Sequence, residues 1–318
     1  MTRLVSIEFR RILARRIVRM AAAAALLGML IAGVVLFARS HRLSPSDAAA
    51  LEQRARAQQE QILQDCVAHI PPDQVPSELT REEFCKQITQ GAFEPQDPRF
   101  QLAHYRDIAL GLAVLFIALL GILGASFAGA EWHAGTVAAQ LTWEPRRIRL
   151  LTGKIIATAA FAFMAFLAAE IVLFGVVAPA GFFRGTAAGM TSSWFHGVVG
   201  ILLRAAVVAA LAAGAAHALA SLARNTAAAV GAAFVYGAVL EPLVRQLRPG
   251  WQHWLFADNV ATFVAGHAPA QLAAEARGVA RGFVVHLPSV TRAGVLVSAY
   301  VLGLVVISLV VFRRRDVT

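Results

Sequence analysis

Residues 108–130 read IALGLAVLFIALLGILGASFAGA, a run of 23 residues without a charged side chain. The hydrocarbon core of a bilayer is about 30 Å thick, and about 20 consecutive apolar residues in an α-helix cross it. A core helix of a soluble protein needs a much shorter apolar run. This stretch therefore predicts a membrane-spanning helix.

Five further runs have the same character, and the whole chain has a matching composition. Of its 318 residues 58% are hydrophobic and 15% are charged, and the mean hydropathy is +0.62. Soluble domains carry about 25% charged residues, so the composition excludes a soluble enzyme and a disordered chain. We predict an all-α polytopic membrane protein, a single transmembrane domain over residues 1–318. Its six predicted spans are 20–38, 108–130, 155–178, 197–220, 226–240 and 293–312.

The placement of the arginines predicts the orientation. With the N-terminus in the cytoplasm, the inner segments hold 14 basic and 4 acidic residues, which is the whole net charge of +10. Basic residues collect on the cytoplasmic side of membrane proteins. We therefore expect a protein of the cell membrane with both termini in the cytoplasm. A nucleic-acid partner is excluded, because that function needs a solvated basic face.

Two segments between the spans are long enough to form structure outside the membrane. Residues 39–107 are polar and predict an extracytoplasmic helical subdomain, with a helix at 46–70, a proline turn at 71–76 and a second helix. Thr80 and Glu83 have the spacing of a capping box at the start of that second helix. Residues 241–291 contain Trp251, Trp254 and an amphipathic stretch at 271–285, and tryptophans suit a membrane interface.

The two cysteines, Cys66 and Cys85, both fall in the first of these segments. Cys66 lies in the last turn of one predicted helix, and Cys85 lies in the first turns of the next. Because the proline turn brings these ends together in an oxidising compartment, we predict a disulfide between them. Two unpaired thiols are the alternative.

Charged residues within the predicted spans are costly and seldom face lipid. Glu170 of the third span and Arg204 of the fourth lie at matching depth, roughly 12 Å and 10.5 Å from the same surface. We predict an ion pair, acting either as a structural clamp or as a cargo-facing site. Alternatively, the arginine reaches toward the outer surface and leaves the glutamate neutral.

The motifs of common catalytic sites are missing from the sequence. Gly153-Lys154 is followed by Ile155, so no P-loop for ATP is present, and the histidines lack metal-ligand spacing. Ser126 with His217 is the best candidate for an intramembrane hydrolase. Small residues at four-residue spacing predict helix packing instead. They are Gly121, Ala125 and Gly129 in the second span, and Ala229, Ala233 and Gly237 in the fifth. We expect no catalytic, cofactor-binding or metal-binding residues in this chain.

Residues 129–154, GAEWHAGTVAAQLTWEPRRIRLLTGK, join the second and third spans on the cytoplasmic side. We predict a short helix at 136–141 hinged at Gly135, then a helix that runs from Pro145 into the membrane. Together these two helices would form a cytoplasmic elbow over residues 131–154. The alternative is a basic loop that only sets topology. The N-terminal segment predicts an amphipathic helix lying on the inner leaflet, with an apolar face of Val5, Phe9, Ile12 and Leu13.

The elbow segment resembles the loop between the second and third helices of ABC-2 type permeases, the membrane subunits of type V ABC exporters. In that family a G-A-E-W-x-x-G-T run is followed by a P-R-R run, and the six-helix layout is similar. The residues that carry the resemblance are Gly129, Ala130, Glu131, Trp132, Gly135, Thr136, Pro145, Arg146, Arg147 and Lys154.

The resemblance implies a permease subunit that exports an unidentified substrate. The partners it implies are a second permease subunit, identical or homologous, and two copies of a separate ATPase that binds ATP and Mg. The elbow would then be the coupling helix that docks on the ATPase. The residues implied in coupling are Glu131, Trp132, Gly135, Thr136, Pro145, Arg146 and Arg147. A membrane scaffold that transports nothing is the alternative function.

Overall fold

The computed structural model describes residues 2–40, 44–71, 80–92, 99–267 and 289–315. These residues are helical apart from short connections and one parallel bridge between Gln101 and Thr186. The helices are α1 (Thr2–Ala14), α2 (Arg16–Arg39), α3 (Pro45–His69), α4 (Arg81–Ala92), α5 (Tyr105–His133), α6 (Thr136–Trp143), α7 (Arg147–Pro179), α8 (Ser192–Ala223), α9 (Thr226–Val235), α10 (Glu241–Leu247), α11 (Phe256–Ala265) and α12 (Val290–Arg314).

Among the described residues, six stretches are long and apolar enough to cross a membrane, which confirms the predicted multi-pass helical class. They are Arg16–Arg39, Leu102–His133, Arg147–Arg184, Ser192–Ala223, Thr226–Leu247 and Val290–Arg314. Each extends beyond its predicted limits, because helices end at capping residues and not where hydropathy falls. Thr191 and Ser289, for example, cap α8 and α12 by accepting hydrogen bonds from backbone N–H groups.

The fifth span differs most from the prediction. It was expected to end at residue 240, but a π-helical turn, Tyr236–Leu240, joins α9 to α10 and carries the helix on to Leu247. The carboxylate of Glu241 accepts a hydrogen bond from the backbone N–H of Ala257 at 3.1 Å. Glu241 thereby satisfies an N–H group at the start of α11.

The described chain divides into two compact units. The first comprises Met1–Leu30, His104–Val176 and Gly189–Thr318. Its centre is α8, against which α5, α9 and α12 pack. A methyl group on Gly124 would overlap the backbone of Ala213, and one on Gly129 would overlap Thr226. The helices approach closely through small residues, as predicted for Gly129. In the part of the chain that the structure describes, a methyl group on Gly121 or Gly237 would meet no atom within 4 Å apart from the adjacent residues and backbone of its own helix.

The second unit comprises Ile31–Ala103 and Val177–Ala188. A disulfide joins Cys66 of α3 to Cys85 of α4, and this confirms the predicted bridge. Residues 72–76 of the predicted proline turn lie outside the described residues, and so does the predicted amphipathic stretch at 271–285.

The predicted capping box at the start of α4 is also confirmed. Thr80 Oγ1 accepts a hydrogen bond from the Glu83 backbone N–H at 3.2 Å, and the Glu83 carboxylate accepts one from the Thr80 backbone N–H at 3.0 Å. The bond from the Thr80 backbone, followed by one from its hydroxyl, holds the pKa of Glu83 below its ordinary value.

Candidate functional site

The segment between α5 and α7 forms the predicted elbow. Gly135 has φ of 64°, a left-handed conformation that suits glycine, and it turns the chain from α5 into α6. The predicted short helix and its hinge are therefore confirmed. α7 begins at Arg147, two residues after the predicted start at Pro145. The residue before a proline is pushed into extended backbone. Glu144 has that conformation, with φ of −127° and ψ of 92°.

A buried carboxylate lies where α5 ends. Glu131 is only 7% exposed, and its two oxygens bind two different cations. Oε2 lies 2.6 Å from the ammonium nitrogen of Lys154 on α7, and Oε1 lies 3.1 Å from a guanidinium nitrogen of Arg15. Arg15 also stacks over the Phe127 ring at 5.1 Å. One side chain of α5 thus ties together the start of α2 and the start of α7.

A second carboxylate, that of Glu8 on α1, completes this ion cluster. Glu8 is buried, and its Oε1 lies 3.4 Å from Lys154 Nζ and 3.0 Å from Arg11 Nη1. We call Glu8, Arg15, Glu131 and Lys154 the charge cluster. Buried charges of opposite sign are costly to separate, so the cluster fixes α1 against the ends of α5 and α7.

The predicted apolar face of α1 is partly wrong. Ile12 is buried, but Leu13 is 48% exposed. The face that packs inward is rotated toward Glu8, because the ammonium group of Lys154 on α7 attracts its carboxylate. The available signal was that Glu8 is the sole acidic residue among six arginines in the first 19 residues.

Polar groups of α7 and α8 lie beside the charge cluster. His217 is buried, and its Nδ1 lies 3.1 Å from Thr158 Oγ1. A cavity of about 20 Å³, lined by Glu131, Lys154, His217 and Ser221 among others, is large enough for one water molecule. The hydrogen bond of His217 goes to Thr158 and not to Ser126, so the serine–histidine pair considered from the sequence does not form.

Further cations join the ends of α7, α8 and α12. The Arg224 guanidinium lies 4.7 Å from the centre of the Trp132 ring, and that ring packs edge-on against Phe312. Arg147 donates a hydrogen bond to the carbonyl of Arg315, and Arg315 donates one to the carbonyl of Leu222 at 2.5 Å. We call the region formed by α1, α6 and these helix ends the basic end.

The residues implied in coupling divide into two groups. Glu131, Trp132 and Arg147 point into the protein, where they hold helices together. Thr136, Pro145 and Arg146 are exposed, and Gly135 provides the turn. No single surface therefore presents all seven residues.

Sequence reasoning missed the most exposed aromatic residue of this region. Trp143, the last residue of α6, is 91% exposed. On the other side of the same helix, Val137 is buried in a cluster with Leu151, Ile155, Ala218 and Phe312. The helix is thus anchored by one apolar side chain and presents another to its surroundings. A tryptophan next to a P-R-R run was the available signal.

The predicted ion pair between Glu170 and Arg204 is wrong. Glu170 is buried and faces α5, where Tyr105 Oη donates to its Oε2 at 3.2 Å. The Arg204 guanidinium instead donates to the carbonyls of Gly200 and Phe263, at 3.0 and 3.3 Å. The prediction assumed that consecutive spans face each other, but α8 presents Arg204 to the end of α11.

Comparison of the chain with protein-family profiles, curated sequences and solved structures finds no match.

Proposed function

We propose that the chain is the permease subunit of an ABC exporter in the cell membrane. Two permease subunits, identical or homologous, would span the bilayer, and two separate ATPase subunits would bind ATP and Mg and drive transport of a substrate that remains unidentified. The proposal rests on the elbow and on its sequence resemblance to ABC-2 type permeases. The positive-inside rule supports placing the basic end in the cytoplasm, where ATP is available.

The observation that carries the proposal is the exposure of Trp143 at the tip of an anchored helix. Aromatic side chains with such exposure are the residues that most often dominate protein–protein interfaces. The neighbouring Arg146 is also exposed and supplies a cation for an acidic partner surface. A rigid helix that presents a tryptophan, with an exposed arginine three residues after its end, is suited to fit into a groove on an ATPase.

The charge cluster explains how a push on α6 would reach the spans. α6 is connected through Gly135 to α5, and it packs through Val137 on α7. Glu131 clamps these two helices through Lys154 and holds the start of α2 through Arg15. Force applied at Trp143 would thus move three spans together and not only the loop.

Affinity purification of the full chain in mild detergent tests this function. A P-loop ATPase should co-purify with the wild type and be lost from Trp143→Ser. Trp251→Ser is the matched control, because Trp251 is 61% exposed but lies far along the chain from α6. It should retain the ATPase.

Purification without any P-loop ATPase would contradict the transport function. Recovery of a dedicated extracytoplasmic protein in its place would favour the scaffold. Glu131→Ala is a poor probe of coupling, because it also breaks buried ion pairs. Trp143→Ser and Arg146→Ala change only exposed side chains, so lost transport with an unchanged melting temperature would report on docking.

A further inference from the structure

An apolar cavity of about 370 Å³ lies between α2, α5 and α7. Every side chain that lines it is Ala, Val, Leu, Phe or Met. Its walls include Val18, Ala25 and Met29 of α2, Phe116 of α5, and Ala165 and Phe166 of α7. A cavity of this size and composition lies within the range of sites that bind small apolar molecules.

The cavity separates α2 from the rest of the first unit. In the most apolar part of the α2 span only 11% of residues are buried, against 33% in the corresponding parts of the α5 and α7 spans. The start of α2 is held by the contacts of Arg15. Beyond that point the helix leaves a gap that its own alanines, at 21, 22 and 25, are too small to fill.

The dimensions of the gap indicate what fits. Lining residues of α2 run from Val18 to Met29, which at 1.5 Å per residue is about 16 Å, or about half the thickness of a bilayer core. The gap therefore has the length of one acyl chain of one leaflet, and its lining is as apolar as such a chain.

A cation lies at the end of the gap that is nearest the basic end. Arg19 precedes Ala22 and Leu26 by three and seven residues, so it lies on the same side of α2 as these lining residues. Arg15 is engaged by Glu131, whereas Arg19 is exposed. A headgroup above an acyl chain in the gap would meet this guanidinium, which pairs well with phosphate oxygens.

We propose that this cavity is a binding site for one anionic phospholipid, with an acyl chain between α2, α5 and α7 and its phosphate at Arg19. The lipid is a resident ligand that holds α2 to the bundle. It is distinct from any transported substrate, and the site does not depend on the function proposed above.

Native mass spectrometry of the full chain in detergent, titrated with phosphatidylglycerol, tests the proposal. The wild type should bind one phosphatidylglycerol in preference to phosphatidylethanolamine. Ala25→Phe fills the gap and should weaken binding about tenfold or more. Ala24→Phe is the matched control, because Ala24 is exposed, neighbours Ala25 on the same helix and does not line the cavity. It should bind as the wild type does.

The headgroup contact has its own pair of variants. Arg19→Gln should reduce the preference for phosphatidylglycerol about fivefold. Arg314 is an exposed arginine at the end of α12, and Arg314→Gln should leave the preference unchanged.

Equal binding by Ala25→Phe and Ala24→Phe would overturn the site. The site would also be overturned if Ala25→Phe changed the protein from a dimer to a monomer and left lipid binding unchanged. That result would assign the gap to a second copy of the chain. If Ala25→Phe does not fold, Ala165→Phe fills the same gap from α7.

Discussion

The carboxylate of Glu131 lies 2.6 Å from the ammonium group of Lys154, and both side chains are less than 10% exposed. The two residues are 23 positions apart, on either side of the elbow. This ion pair therefore joins α5 to α7 at the two ends of the segment that contains α6.

Breaking this pair on one side should be strongly destabilising. Glu131→Gln leaves the buried ammonium group of Lys154 and the partly buried guanidinium of Arg15 without their shared carboxylate, a loss of about 3–5 kcal/mol of stability. The double variant Glu131→Gln/Lys154→Gln should cost less than the sum of the two single changes. The melting temperatures of the single and double variants in detergent measure these losses. Glu144→Gln is the control, since its more exposed contact with Arg149, at 3.7 Å, contributes at most about 1 kcal/mol. Strictly additive losses would show that Glu131 and Lys154 do not interact.

Two glycines of the same helix should respond to alanine with opposite sign. Gly124→Ala forces a methyl group into the backbone of Ala213, so we expect a loss of about 1–3 kcal/mol. Gly121→Ala meets open space and should gain up to about 1 kcal/mol from helix propensity. Thermal midpoints of the two variants in one detergent test this. If both variants were stabilised, α5 and α8 would not be packed as closely as described.

The glutamate in the third span should couple to Tyr105 and not to Arg204. Tyr105→Phe removes the hydroxyl that donates to Glu170, at a cost of about 1–3 kcal/mol. A double-mutant cycle of Tyr105→Phe with Glu170→Gln should be non-additive, whereas a cycle of Glu170→Gln with Arg204→Gln should be additive. Coupling in the second cycle alone would restore the ion pair that the sequence predicted.

The capping box should make the start of α4 sensitive to acid. Because the pKa of Glu83 is lower in the folded protein than in the unfolded chain, its stabilising effect is present above the unfolded value of about 4.3. The effect is lost as the pH falls through the folded value. Carbon-13 NMR of labelled glutamate carboxyls should show the pKa of Glu83 rising in Thr80→Ala and staying low in Thr80→Ser. An unchanged pKa in Thr80→Ala would mean that the threonine hydroxyl has no influence.

Local sequence rules predicted the features that depend on neighbours along the chain. The length of the apolar runs predicted the six spans, the spacing of Thr80 and Glu83 predicted the capping box, and Gly135 predicted the hinge. The same rules failed where the answer depends on which helices face each other. The partners of Glu170 and Arg204, and the rotation of α1 that buries Glu8, are set by packing between distant segments. No spacing within a single helix encodes that information.

Burial of Glu8 and Glu131 also changes what the basic end presents to its surroundings. These carboxylates face inward, so among the described residues of the basic end Glu144 is the remaining acidic side chain beside many exposed arginines. Potentials of like charges add, and at physiological ionic strength they reach about 8 Å, the Debye length, into the solvent. An acidic partner would be drawn in by this field, and its association would slow as salt is added. The buried pairs are much less screened, so a high-salt wash should strip such a partner from the protein and leave the helices at the basic end in place.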